Sequence, residues 1–301
     1  MNFWSITITV LGLGLFEVVN SIDNAIINVE VLSTMRPKGR RWFLLWGLLL
    51  AVFVVRGVLP WFIVWVVNPT LGPLAAFTAT FSSDPQVHQA IRLSAPMLLT
   101  GGGTFLLFLF FHWLFLEPKH IGLAGERFFQ AQGAWFFAVA SVLLTAIVWL
   151  AIRQNPLMAF GAVVGSTAFF IIHGFKQQAE QDERKLLSSS RTDLSKIFYL
   201  EVIDATFSVD GVLGAFAFTL SVPLILLGNG LGALVVRKLT MGNIERIKHY
   251  RFLKNGAMYS IFGLGLIMLG DGFGLDIPSW VSPLTTFTIV AYFFLKSRPT
   301  P

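Results

Sequence analysis

The sequence predicts an all-α bundle of about nine membrane-spanning helices. Three observations predict it: a composition unsuited to water, nine apolar stretches of spanning length, and basic residues confined to alternate connections. Of 301 residues, 55% are hydrophobic and only 13% charged; Phe occurs 30 times and the mean hydropathy is +0.71. Soluble domains carry about a quarter charged residues, and a surface this apolar needs lipid around it. The net charge of +6 does not indicate nucleic acid, because the basic residues punctuate apolar runs as topology determinants do. The absence of cysteine excludes disulfides, thiolate metal sites and a thiol nucleophile.

A spanning helix needs about 20 mostly apolar residues, and the segments 5–32, 42–67, 96–116, 134–152, 156–174, 195–219, 222–237, 254–270 and 279–295 qualify. The first lacks a basic n-region, carries Glu17 and Asp23, and reads as a retained helix long enough to tilt or break. The 68–95 connection, with Pro69, Pro73 and Pro85, reads as a loop lying on or dipping into the bilayer; the mixed-charge 175–194 stretch reads as a mobile linker between halves 1–174 and 195–301. Nineteen of the 22 Lys and Arg fall on one side of a nine-span arrangement; Arg92 and Arg153 fall on the other, and Arg56 lies inside a span. That asymmetry puts the N-terminus outside and the C-terminus inside, and the expected membrane is the bacterial cytoplasmic (inner) membrane. Trp4, Trp42, Trp61, Trp113, Trp135, Trp149 and Trp280 lie near span ends, as an interfacial belt would.

The chemistry sits in two spans. The first reads FEVVNSIDNAIINVEVL (16–32) and the sixth YLEVIDATFSVDGVLGAFAFT (199–219). An acid at mid-bilayer costs roughly 2.5–3.5 kcal/mol on insertion scales, so Glu17, Asp23, Glu201, Asp204 and Asp210 need partners or a ligand. Glu17-x5-Asp23-Asn24 aligns with Asp204-x5-Asp210-Gly211, and the topology runs the two copies in opposite directions. Inverted repeats with a polar site at their interface are a recurrent transporter plan. On a straight helix Asn20 and Asn24 share the Glu17 stripe, and Ser208 shares that of Asp204. Asp23 and Asp210 point about 120° away from the acids six residues before them. Either they face separate partners or the helix unwinds there, which Gly211 would ease.

Oxygen-only donors suit hard cations such as Mn²⁺, Mg²⁺ or Ca²⁺, as a transported ligand and not a tightly bound cofactor. The competing reading of the acids is buried ion pairing with no ligand. Arg56 would neutralise an acid or snorkel, Asn229 is a candidate ligand or cross-helix hydrogen-bonder, and Gly101–Gly103 and Gly228-x3-Gly232 read as close helix packing. His112 and His173, near span ends, read as packing or interface residues ahead of ligands.

These motifs resemble the TerC-like integral membrane family, and most closely a branch of it catalogued as a domain of unknown function. The resemblance rests on FEVVNSIDNAIINVEVLSTM, RGVLPW, the DP of the 68–95 loop, GGGTFLLF, EVIDATFSVDGVLGAFAFT and GLGALVVRKLT. It implies a fold of the LysE-type transporter superfamily and, from members associated with manganese export, Glu17, Asp23, Asn24, Asp204 and Asp210 as metal ligands. The chain departs from the family pattern at Lys254-Asn255-Gly256 and at Gly211, where Ser is frequent. The expected function is a divalent-cation transporter, an exporter, with metal ion and bilayer as partners, no nucleic acid, and homo-oligomerisation left open. Two other classes compete. A membrane-embedded enzyme lacks HExxH and GxSxG signatures in this chain. A scaffold for a metal or tellurite stress complex would act through the 175–194 stretch.

Overall fold

The computed structural model describes residues 3–21, 25, 31–47, 56–67, 72–74, 85–119, 122–187, 192–242 and 250–297. The described residues are helical and include no strand. In chain order the helices are α1 (Phe3–Asn20), α2 (Pro37–Trp42) leading into a π-helical turn (Phe43–Gly47), α3 (Arg56–Val67), α4 (Pro85–Leu116), α5 (Ala124–Gln130), α6 (Trp135–Gln154), α7 (Pro156–Leu187), α8 (Asp193–Ala215), α9 (Val222–Gly242), α10 (Leu253–Gly272) and α11 (Val281–Ser297). Every predicted segment holds one of these helices. Among the described residues, five stretches are long and apolar enough to cross a membrane: Phe3–Asn20, Leu93–Leu116, Trp135–Gln154, Pro156–Phe175 and Val222–Leu239.

Contact registers give the helix directions. Leu13 meets Gly228 and Glu17 meets Gly232, so α1 and α9 run parallel. Gly12 meets Pro283 while Val19 clusters with Val290, so α1 and α11 are parallel too. Asn20 and Glu17 meet Gly211 whereas Phe16 meets Gly214, so α1 and α8 are antiparallel. The pairs Met97–Gly161, Gly101–Gly165, Phe105–Phe169 and His112–His173 make α4 and α7 parallel. The pairs Pro96–Gly272, Leu106–Gly265, Phe110–Phe262 and Trp113–Tyr259 make α4 and α10 antiparallel. The two acid-motif helices therefore run in opposite directions, as the distribution of basic residues predicts.

Lipid offers no hydrophobic drive for helix association, so small residues and ring packing hold such bundles together. Both glycine motifs serve that purpose. A Cβ at Gly165 would collide with the Gly101 carbonyl, and one at Gly228 with the Leu13 side chain. Around Phe169, the rings of Phe105, Phe108, Phe136 and His173 pack at centroid distances of 5.9, 5.7, 6.2 and 5.5 Å, geometries worth about 0.5–1.5 kcal/mol each for aromatic pairs.

Three expectations change. Residues 85–95 are not loop: α4 starts at Pro85, with Pro in the first turn where its missing N–H costs nothing. The 175–194 stretch is helix as far as Leu187, because Gln, Ala, Glu, Arg and Leu are strong helix formers whatever their charge. Trp113 is buried against Phe110 and Tyr259 and does not belong to an interfacial belt, whereas Trp4, Trp42, Trp135, Trp149 and Trp280 are exposed.

Candidate intramembrane carboxylate site

Glu17 is 0% exposed in the last turns of α1. Its Oε1 accepts the Ser21 hydroxyl at 2.5 Å, a bond that the four-residue helical spacing permits. Its other oxygen faces the α8 backbone: a Cβ on Gly211 would stand 3.2 Å from Glu17 Oε2 and 3.5 Å from Asn20 Nδ2. Gly211 adjoins Asp210, itself only 7% exposed. On the opposite flank a Cβ on Gly232 of α9 would lie 2.6 Å from Glu17 Cβ. Asn229, 0% exposed, sits in the α9 turn between Gly228, which faces Leu13, and Gly232. Neither polar atom of its amide has a hydrogen-bond partner among the described residues. Thus Glu17 and Asn20 come against the Asp210–Gly211 turn, and Asn229 is buried on α9, the helix whose Gly232 meets Glu17.

The other acids of α8 stand apart. This helix is unbroken from Asp193 to Ala215, so it does not unwind at Gly211, and of the two readings of the acid spacing the structure favours separate partners. Asp204 lies about 9 Å from Asp210 along the axis and about 120° around it. Its backbone carbonyl accepts the Ser208 hydroxyl at 2.6 Å. Glu201, a further ~4.5 Å along, rests against the π-helical turn, where a Cβ on Gly47 would collide with its Oε1. That oxygen is buried without a hydrogen-bond partner among the described residues. Asp23 and Asn24 lie outside the described residues, as does the Arg56 side chain; the Arg56 backbone opens α3. Among the described residues no three His, Cys, Asp or Glu side chains gather as a metal cluster. An ion between Glu17 and Asp210 would complete its shell with amide, hydroxyl or backbone oxygens, which hard cations accept.

A second buried polar group, which the sequence reading missed, lies against the first turns of α10. Glu126 of α5 is 1% exposed; both its oxygens accept from Asn255 Nδ2 at 2.8 Å, and its Oε2 also takes the Leu123 N–H at 2.9 Å. Lys254 pairs with Glu117. Lys254 and Asn255 therefore clasp the 117–133 connection onto α10. Lys119 belongs to the same clasp, donating to the Trp113 carbonyl and lying 3.8 Å over the Trp113 ring. Burial pushes its pKa from 10.5 down to about 8, against the raising pull of Glu117 and Glu126. Between those values the unfolded chain holds more protons than the folded one, so stability rises with pH across that window. Thermal unfolding in detergent from pH 7 to 10.5 is expected to show this rise. Lys119→Met is expected to flatten it, and an unchanged slope in that variant would remove the assignment.

His112 and His173 pack ring to ring at 3.7 Å between centroids, against Phe136 and Phe169, in keeping with a packing role.

No curated protein and no solved structure matches this chain. One family model does, described as "Protein of unknown function (DUF475)", over residues 22–298. The matched region takes in Asp23, Asn24 and the whole α8 motif and begins five residues after Glu17. With nearly all of its length matched, the chain belongs to the DUF475 family.

Proposed function

We propose that the protein is a secondary transporter, an exporter, of a divalent metal cation, with Mn²⁺ the favoured ion. The observation that carries this reading is the fully buried Glu17 carboxylate, held where α1 meets the Asp210–Gly211 turn of an antiparallel copy of its own motif. A carboxylate in an apolar bundle is costly and marks an ion or proton pathway more often than a structural need. The resemblance to TerC-like proteins, several of them associated with manganese export, points the same way. In this reading Glu17 and Asp210 neutralise the dication. Asn20, Asn229 and the motif residues Asp23 and Asn24 contribute oxygens, and Asp204 and Glu201 receive the ion further along α8. Protonation of a carboxylate releases the ion and couples its movement to protons. The basic connections face the cytoplasm and the N-terminus faces outward, as the charge asymmetry favours.

The test is metal flux in proteoliposomes carrying a metal-sensitive dye, comparing the native protein with Asp210→Asn and Asp23→Asn. Flux is expected to fall by roughly two orders of magnitude in each, about 2.7 kcal/mol of lost stabilisation. Native flux in both variants would end the proposal.

A further inference from the structure

The motif helices are also closed over each other at their basic end. Val31, Leu32 and Met35 from beyond α1, Phe43 of the π-helical turn, and Ile197 and Leu200 of α8 form an apolar cluster separate from the main core. One cation is set into it. Lys196 is 6% exposed and donates to Thr34 Oγ1 at 2.9 Å and, more weakly, to the Thr34 carbonyl at 3.4 Å. From the other motif half, Arg40 donates to the carbonyls of Leu32 and Ser33 at 3.1 and 3.4 Å, and the Arg36 N–H reaches Asp193 at 3.5 Å. Basic side chains from both halves thus bind the last carbonyls of the same segment, where a helix end leaves acceptors open.

A buried ammonium is an expensive way to fill this position, since Met or Leu would serve for packing alone. Its place on α8 supplies a reason. Lys196 precedes Glu201 by five residues, about 7 Å of axial rise, and Asp204 and then Asp210 follow on the same unbroken helix. After Asp193 of the first turn, the axial order is cation, then three carboxylates set at different angles around the helix, the last of them adjoining the Gly211 contact with Glu17. An ammonium at the mouth repels a dication arriving from the basic face, and the apolar cluster excludes water around it. The hydroxyl and carbonyl that hold Lys196 are neutral partners, weaker than a carboxylate would be.

The geometry points to Lys196 and Thr34, set in the Val31–Leu200 cluster, as the gate at the basic end of the α8 carboxylate row, closed in this structure. It opens when the first turns of α8 part from residues 31–43. This gate rests on the transport reading for its purpose, but its opening is measurable without transport.

The chain has no cysteine, so Asp204→Cys supplies a sole thiol just behind the gate. The reaction of that thiol with a neutral, membrane-impermeant maleimide added on the basic face is expected to be slow. It is expected to quicken by at least about tenfold, the equivalent of a 1.4 kcal/mol shift in the opening equilibrium, when Lys196→Ala is added. Thr34→Val, which removes only the hydroxyl, is expected to quicken it in the same direction and covers the case in which Lys196→Ala does not fold. Equal labelling rates in the parent and in each folded gate variant would overturn the gate, whatever the flux. Faster labelling in a protein whose native form moves no metal would keep the gate and overturn the transport reading instead. In the flux assay, Thr34→Cys/Lys196→Cys joined by a short bis-methanethiosulfonate, which forms a disulfide with each thiol and expels methanesulfinate from each end, is expected to lose transport and recover it on reduction. Full transport in the joined state would also overturn the gate.

Discussion

Gly232→Ala is expected to destabilise the bundle and to remove metal flux in the same stroke. The added Cβ would stand 2.6 Å from the Gly14 carbonyl, 2.6 Å from Glu17 Cβ and 2.8 Å from Glu17 Cγ. The first of these is backbone, so no rotamer change relieves it: α1 must move away from α9 or Glu17 must leave its place against Gly211. Overpacking of this kind costs about 1–3 kcal/mol, more than the roughly 1 kcal/mol that alanine returns through helix propensity. Gly174→Ala is the control. It replaces a helical glycine in α7 whose Cβ would meet nothing within 4 Å, so propensity acts alone and stability is expected to rise by about 0.5–1 kcal/mol. Thermal unfolding of the three proteins in one detergent reads the difference. Equal midpoints for Gly232→Ala and the native chain would show that α1 and α9 are not in the close contact described. A folded Gly232→Ala variant with native flux would detach Glu17 from the transport reading.

How much of this was legible beforehand depends on the range of the interaction. The helices were legible because each is a long apolar run, and their opposed directions because basic residues mark alternate connections. Gly228-x3-Gly232 was legible as a packing face because small residues one turn apart have few other uses in an apolar helix. The Ser21–Glu17 bond was readable in principle, since a hydroxyl four residues after an acid reaches it on a helix. Other features were hidden because their causes are distant in sequence. Nothing local marks Glu126, and only Asn255, 129 positions later, makes it a buried acceptor. Lys196 read as one topology charge among five, and only Thr34, 162 positions earlier, shows it inside the protein. The α7 extension to Leu187 was misread because charge was weighed above helix propensity.

The division of the acids along α8 follows from the same geometry. Aligning the motifs makes Asp204 the counterpart of Glu17, which suggests that equivalent residues meet. Antiparallel packing instead sets the first acid of one copy beside the last acid of the other, and Glu17 lies against Gly211, next to Asp210. A straight helix then leaves Asp204 and Glu201 on lower turns, facing other partners. A row of acids on one unbroken helix suits an ion that moves from station to station more than a single cage that surrounds it.

Glu17→Gln separates the two reasons a membrane helix can have for keeping a buried carboxylate. The amide matches the carboxylate in size and can still accept from Ser21 at the position of Oε1, so packing against Gly211 and Gly232 is preserved. If the acid serves the fold through an ion pair, removing its charge leaves a buried partner uncompensated and costs about 3–5 kcal/mol. If it serves a visiting cation, the metal-free protein is relieved of a desolvated charge and is expected to gain stability, on the order of 1 kcal/mol. Added Mn²⁺ is expected to raise the unfolding temperature of the native protein by mass action and to leave that of Glu17→Gln unmoved, with flux lost in the variant. The two readings thus predict opposite signs for one substitution in metal-free detergent. A fall in stability there would return Glu17 to the structural ion-pair reading. A rise combined with an undiminished Mn²⁺ response would place the cation elsewhere along α8.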